Sequence, residues 1–256
     1  MLPVGPERGW RPARGSAPGL LFLLGRGRYT PIHEQPDRVA YRVDTPRGTL
    51  FVKHYRPAGV WPAVRDFCLS RKPQRAFARS RELASRGVST PVPLGLFLRG
   101  RFPPREALFV TEWVEGAVKW AVHLRERVPR RRDPEAFRAA LRELGSLVGY
   151  LHRTGYYHGD LSSNLLFGSD GRTVRAFVVD LEGLSPRLTR KRRVKNLEEL
   201  GRAIPSLEEI PLRDRWLYLL AYAHAAGLSR ADARTLWREG RAAQLGRMGP
   251  ARGKAP

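Results

Sequence analysis

The segment "YYHGDLSSNLLFGSDGRTVRAFVVDLEGL", residues 156–184, sets two aspartates beside two short apolar runs, with an asparagine between them. Phosphoryl transfer needs a carboxylate that orients the attacking hydroxyl and accepts its proton. It also needs oxygen ligands for magnesium, which neutralises the charge developing on the transferred group. Asp160 suits the first task and the amide oxygen of Asn164 the second. Asp180, after the apolar "AFVVD", suits a hard-cation ligand bridging phosphates. His158 fits a structural role in the loop better than proton transfer. The same residue types also fit a plain hairpin with Asp and Asn at its turns. Their occurrence in this order beside apolar runs favours chemistry over that simpler account.

A cation is the remaining component. Lys53 lies on "TLFVKHY", the last strand before the first long helix. There an ammonium can neutralise the α- and β-phosphates of a nucleotide while a helix carboxylate holds it. Glu82 is the only acid in the helix expected over 70–86, and so the local candidate for that holder. The alternative is an exposed Glu82–Arg86 pair at i,i+4. "LGRGRYT" offers Gly25 and Gly27 without the spacing of a phosphate-cradling loop.

The elements that must position these groups can be read around them. Residues 1–18, rich in Pro, Gly and Arg, read as a flexible lead, and 247–256 as a flexible tail. "LLFLL", "VAYRV", "TLFVKHY", "VSTPVPLGLFL" and "EALFVTEWVEG" read as five strands of an antiparallel sheet, with "DTPRG" turning a hairpin. In the 70–86 helix Ala76, Phe77, Leu83 and Ala84 share one face, and Gly87 stands at its C-terminal cap. Asp133 caps a helix carrying Phe137, Leu141, Leu144, Val148 and Leu151, and further helices follow near 195–204, 212–226 and 229–243. The expectation is an α+β protein: an N-lobe at 19–115 with an antiparallel sheet and one helix, and a mainly helical C-lobe at 116–246.

Composition narrows the setting. At 256 residues, 42% hydrophobic and 28% charged, the chain has the make-up of a folded globular protein. Its formal charge of +23 draws it to polyanions, although arginine-rich usage alone names no partner. The single cysteine, Cys68, excludes an internal disulfide, fits a reducing compartment and reads as a half-buried helix residue. "GLLFLL" is too short to span a membrane and lacks a secretory cleavage site. A cytoplasmic location follows, with peripheral contact at the inner face of the cytoplasmic membrane. The basic run "PRLTRKRRVK" just after Asp180 would suit an acidic glycolipid, or is a solvated charge run. It does not interleave aromatics as nucleic-acid platforms do, which argues against nucleic acid.

"HGDLSSNLLF" together with "VVDLE" resembles the catalytic and metal-binding segments of the protein-kinase-like fold. The resemblance is closest to the bacterial kinases that phosphorylate Kdo or heptose in the lipopolysaccharide inner core. "LFVKHYR", "LASRGVSTPVPLG", "LFVTEWVEGA", "VKNLEELGRAI" and "PLRDRWLYLLAYAHAAGL" extend it over residues 38–228. It implies a two-lobed kinase fold that uses ATP and magnesium to phosphorylate a sugar hydroxyl of a glycolipid. Lys53 and Glu82 would serve the phosphates, Asp160 would be the catalytic base, and Asn164 and Asp180 would hold the metal. Two departures stand out: Asn164 follows Asp160 by four residues instead of five, and Asp180-Leu181-Glu182 replaces Asp-Phe-Gly. An atypical protein kinase, or a silent kinase-fold protein binding anionic membrane or RNA, are the rival readings.

Overall fold

Strand alternation organises the N-terminal part of the protein. In the computed structural model β4 (Gly48–Tyr55) turns Leu50, Val52 and His54 to one face, and Lys53 and Tyr55 to the other. Around it runs a six-stranded antiparallel sheet in the order β1-β5-β6-β4-β3-β2. The flanking strands are β1 (Trp10–Pro12), β2 (Arg28–Gln35), β3 (Arg38–Thr45), β5 (Pro93–Arg99) and β6 (Glu106–Glu112). The structure describes residues 9–56, 63–100, 104–169, 173–202 and 210–247, with backbone alone for 63–71, 201–202 and 241–247. Cys68 and the tail beyond 247 therefore lie outside the described side chains and residues.

Each face of the sheet is covered by its own cluster. On one, Trp10, Leu20, Leu24, Val43, Leu50, Val52, Phe97, Leu108 and Val110 pack together. On the other, α2 (Ala63–Ser85) lays Ala76 and Phe77 against Tyr55, Leu96, Ala107 and Phe109. The first cluster corrects two expectations. "LLFLL" is not a strand but α1 (Leu20–Gly25), burying Leu20 and Leu24 one turn apart while Phe22 is 49% exposed. A short apolar run fits either element, and here the i,i+4 spacing decides. The expected lead also proves partly ordered: Trp10 is buried and β1 pairs with β5, so residues 10–12 form an edge strand. β2 had not been expected. It is an outer strand with a register shift between Pro31 and His33, where proline is tolerated because the edge lacks a partner on that side. In α2 the predicted stripe holds for Ala76, Phe77 and Leu83, whereas Ala84 is exposed. Gly87 takes φ +75°, a left-handed value suited to ending a helix.

The chain divides into two units. One comprises residues up to Ser85, Thr90–Glu115 and the detached segment Asp180–Glu182; the other holds Arg86–Ser89, Gly116–Val179 and Gly183 onward. The linear split expected at 115/116 thus needs correction at residues 180–182, which belong with the sheet.

In the second unit a three-stranded sheet of order β10-β9-β7 forms from β7 (Glu115–Lys119), β9 (Leu165–Ser169) and β10 (Val174–Val178). Between β7 and the long helices stand α3 (Trp120–Val122) and a π-type turn, whose His123 stacks on Phe167 at 4.3 Å. α4 (Pro134–Arg153) starts as expected, with Asp133 accepting from the Ala136 amide at 2.9 Å. α5 (Arg190–Arg202), α6 (Leu212–Ala225) and α7 (Arg230–Arg247) follow. α4 and α6 approach so closely that a Cβ at Gly145 would lie 2.4 Å from the Tyr218 carbonyl, and one at Gly149 2.5 Å from the Tyr222 carbonyl. Glycine is required at both positions.

Between these helices His152 is buried, with Nδ1 at 2.9 Å from the Tyr222 hydroxyl and Nε2 at 3.2 Å from Asn196 Oδ1. Burial depresses its pKa from 6.5 to about 4, against a smaller upward pull from Asn196. A histidine that resists protonation when folded contributes stability above its unfolded pKa. That stability is lost as pH falls from 6.5 towards 4. His54 and His123 shift in the same direction, so they add to the acid sensitivity. Thermal melting measured across this range should show a steep loss for the wild type and a shallower slope for His152→Gln, the difference being on the order of 3 kcal/mol at most.

Candidate active site

In the first unit the site is built on the face of β4 that α2 covers. The Lys53 ammonium, its side chain only 14% exposed, sits 2.8 Å from Asp180 Oδ1 and 2.5 Å from Glu182 Oε1. An ammonium this far from water needs such compensation. Glu182, 11% exposed, also accepts from the Tyr55 hydroxyl and lies 3.4 Å from Arg38 Nη1. Burial, with the neighbouring Glu182 carboxylate, pushes the Tyr55 phenol well above its ordinary range, so it remains a donor. Arg79 of α2 donates to the carbonyls of Leu181 and Glu182 at 3.3 and 3.2 Å.

Asp180 has φ +53°, the only non-glycine among the described residues with a positive φ. An L-residue held there is under backbone strain, which surrounding contacts must offset. Its carboxylate is 38% exposed and sits at the solvent side of the lysine pair. The structure therefore unites two of the sequence-predicted residues, Lys53 and Asp180. For the expected Lys53 partner it substitutes another glutamate. Glu82 is half-buried near the end of α2, whereas the carboxylates on Lys53 are those of Asp180 and Glu182. The signal was present in "VVDLE", where an acid two residues beyond Asp180 replaces the usual glycine.

In the second unit Asp160 and Asn164 share one loop. β8 (Tyr157–His158) pairs with β11 (Leu184–Ser185), and the Gly159 amide donates to the Gly183 carbonyl at 3.1 Å. His158 is buried, and the amide of Asp160 donates to its Nδ1 at 3.1 Å, fixing that nitrogen as an acceptor. The histidine thus shapes the loop. Asn196 of α5 grips the backbone of His158 from both sides: its Nδ2 donates to the carbonyl at 2.8 Å, and its Oδ1 accepts from the amide at 3.4 Å. Trp120 Nε1 donates to the Ser162 carbonyl at 2.8 Å. Neither Asn196 nor Trp120 had been anticipated, because a buried asparagine and tryptophan in helical segments carry no chemical pattern of their own.

The short Asp160–Asn164 spacing is taken up by one 3-10 turn at Ser162–Asn164, closed by the Asn164 amide on the Leu161 carbonyl at 3.0 Å. Asn164 Nδ2 donates back to the Asp160 carbonyl at 2.7 Å. That commits the donor end of the amide to the loop. Asp160 itself is exposed. Asp160 precedes a helical turn, and Asp180 stands beyond Val178, the last residue of β10.

The Asp180 carboxylate of the first unit and the Asn164 amide oxygen of the second are each hard donors of the kind that magnesium takes. Among the described residues no three His, Cys, Asp or Glu side chains gather as a metal cage. The basic run after Asp180 is partly structural. Arg190 clasps Glu239 at 2.8 Å, Arg193 donates to the Tyr222 hydroxyl at 2.6 Å, and Arg192 to the Arg187 carbonyl at 2.7 Å. Gly27 has a packing role, since a Cβ there would lie 2.4 Å from Val43 Cγ1.

An antiparallel sheet carrying a carboxylate-bound lysine, with a helical region holding an Asp–Asn loop, defines a protein-kinase-like fold. The same fold is found in the solved structure of "WaaP in complex with acyl carrier protein", with a TM-score of 0.58 at 24% identity, covering 86% of this chain and 89% of that one. The chain matches the Lipopolysaccharide kinase (Kdo/WaaP) family over residues 33–236, and it belongs to that family. It is also similar to EKC/KEOPS complex subunit bud32 of Emericella nidulans, at 26% identity over 185 residues, and to that of Aspergillus oryzae, at 32% over 101 residues. These alignments take in 61% and 33% of this chain and span 62% and 37% of the two relatives.

The double grip of Asn196 generates a prediction. Asn196→Ala removes both side-chain contacts to the His158 backbone and should cost about 2–4 kcal/mol in urea unfolding, with a matching loss of turnover.

Proposed function

We propose that the protein transfers the γ-phosphoryl group of ATP, with magnesium, to a sugar hydroxyl of lipopolysaccharide core or a related glycolipid. The observation that carries this reading is the Lys53–Asp180 pair at 2.8 Å in a chain of the lipopolysaccharide kinase family. In this reading Lys53 neutralises nucleotide phosphates, and Asn164 and Asp180 offer oxygens to the cation. When bound, the cation neutralises charge on the transferred group. Asp160 orients the acceptor hydroxyl and takes its proton. The net charge of +23 supports an anionic acceptor, and exposed cations such as Lys191 and Arg187 on the run after Asp180 are suited to its phosphates. No helix among the described residues is long and apolar enough to cross a membrane. Action from the cytoplasm on a glycolipid at the inner membrane face is consistent with that and remains part of the proposal.

A second reading, an atypical protein kinase, draws on the similarity to the two fungal proteins, which are named as subunits of a protein complex. Labelled ATP offered with extracted glycolipid or with a panel of proteins separates the two. Label entering glycolipid supports the first reading, and label entering protein alone supports the second. Asp160→Asn should lower transfer by about a thousandfold or more while ATP affinity, followed by thermal shift with magnesium, stays near wild type. Retained turnover in that variant would remove Asp160 from the role of base. A wild type that gives no magnesium-dependent shift with ATP points instead to a silent kinase-fold protein.

A further inference from the structure

Lys53 keeps two carboxylates at hydrogen-bond distance, and they are not equivalent. Asp180 is 38% exposed and touches the lysine from a strained backbone position. Glu182 is 11% exposed and is held on every side: Lys53 at 2.5 Å, the Tyr55 hydroxyl, Arg38 at 3.4 Å, and Arg79 on its carbonyl at 3.2 Å. One is placed to leave and the other to stay. Charge supports the distinction. Lys53 and Arg38 together balance Asp180 and Glu182, so when a divalent cation takes Asp180, Lys53 still has a neutralising partner.

Among the described side chains, the helix that packs against this face offers no rival carboxylate where it meets Tyr55. Where α2 meets Tyr55 its buried residues are Ala76 and Phe77, and its inward-reaching polar side chain is the cation Arg79. The small Ala76 side chain leaves room for the Tyr55 ring, whose hydroxyl then reaches Glu182. The helix thus secures the backbone of the glutamate instead of supplying one.

We infer that Glu182 is the positioning residue for Lys53: it holds the ammonium on the nucleotide phosphates, a task expected of a helix glutamate, while Asp180 passes from the lysine to the cation. This rests on the phosphotransfer reading for its purpose, though the contact can be tested without nucleotide. The full-length protein is treated with an amine-acylating reagent in the absence of ATP. Labelling of Lys53 is read by peptide mass spectrometry against exposed Lys119. Glu182→Gln, which keeps the shape and the acceptor for Tyr55, should raise Lys53 labelling several-fold, and by more than Asp180→Asn does. In turnover assays it should raise the KM for Mg·ATP about tenfold with a smaller fall in kcat, the split expected when a ground-state phosphate contact is loosened. Unchanged Lys53 labelling in Glu182→Gln, or a rise in Glu82→Gln in its place, overturns the inference. Should the glutamine variant not fold, Glu182→Asp, one methylene short of the ammonium, gives the same reading. Labelling that changes as expected in a protein that binds no Mg·ATP sinks the phosphotransfer reading and leaves the Glu182–Lys53 contact standing.

Discussion

A lysine that is largely removed from water is the constraint to which the first unit answers. Desolvating an ammonium costs several kcal/mol, and only close, well-oriented carboxylates offset it. Lys53 obtains them from Asp180 and Glu182, residues more than a hundred positions away in the chain. The sheet, the Tyr55 hydroxyl and the guanidinium groups of Arg38 and Arg79 are arranged around that requirement. Strand alternation puts Lys53 and Tyr55 on the same face. The apolar face behind them, sealed by α1 and Trp10, keeps β4 from shifting register.

The second unit solves a different problem, which is to fix a loop while leaving its carboxylate in water. Asp160 is exposed, yet each residue around it is tied down through backbone groups: His158 by Asn196, Ser162 by Trp120, Leu161 and Asp160 by Asn164. Such wiring fixes a carboxylate in place without burying it. It also accounts for the shorter Asp160–Asn164 interval, since a 3-10 turn advances further per residue than an α-helical one and closes on itself in three.

Much of this was legible in the sequence wherever residue type and chemistry coincide. Asp160, Asn164, Asp180 and Lys53 are polar groups beside apolar runs, a pattern that folding alone does not favour. The helices after Asp133 were legible because their apolar stripe repeats. The failures have identifiable causes. "LLFLL" is uniformly apolar, so no period separates helix from strand. β2 is an exposed edge interrupted by Pro31, which erases alternation. Glu82 was preferred on local grounds as the acid in the nearest helix, and locality is a poor guide to a partner supplied from far along the chain. Gly145 and Gly149 belong to no motif or apolar stripe that the sequence singles out. They are where α4 comes close enough to touch the α6 backbone.

Asp180 and Glu182 flank the buried Leu181 on a single three-residue stretch. Where lysine anchor and cation ligand come from separate elements, a lineage can retune one and spare the other. In the proposed reading they are welded together here, so a change at any of the three positions would detune both. Among descendants of this chain, these neighbours should drift in concert or hardly at all.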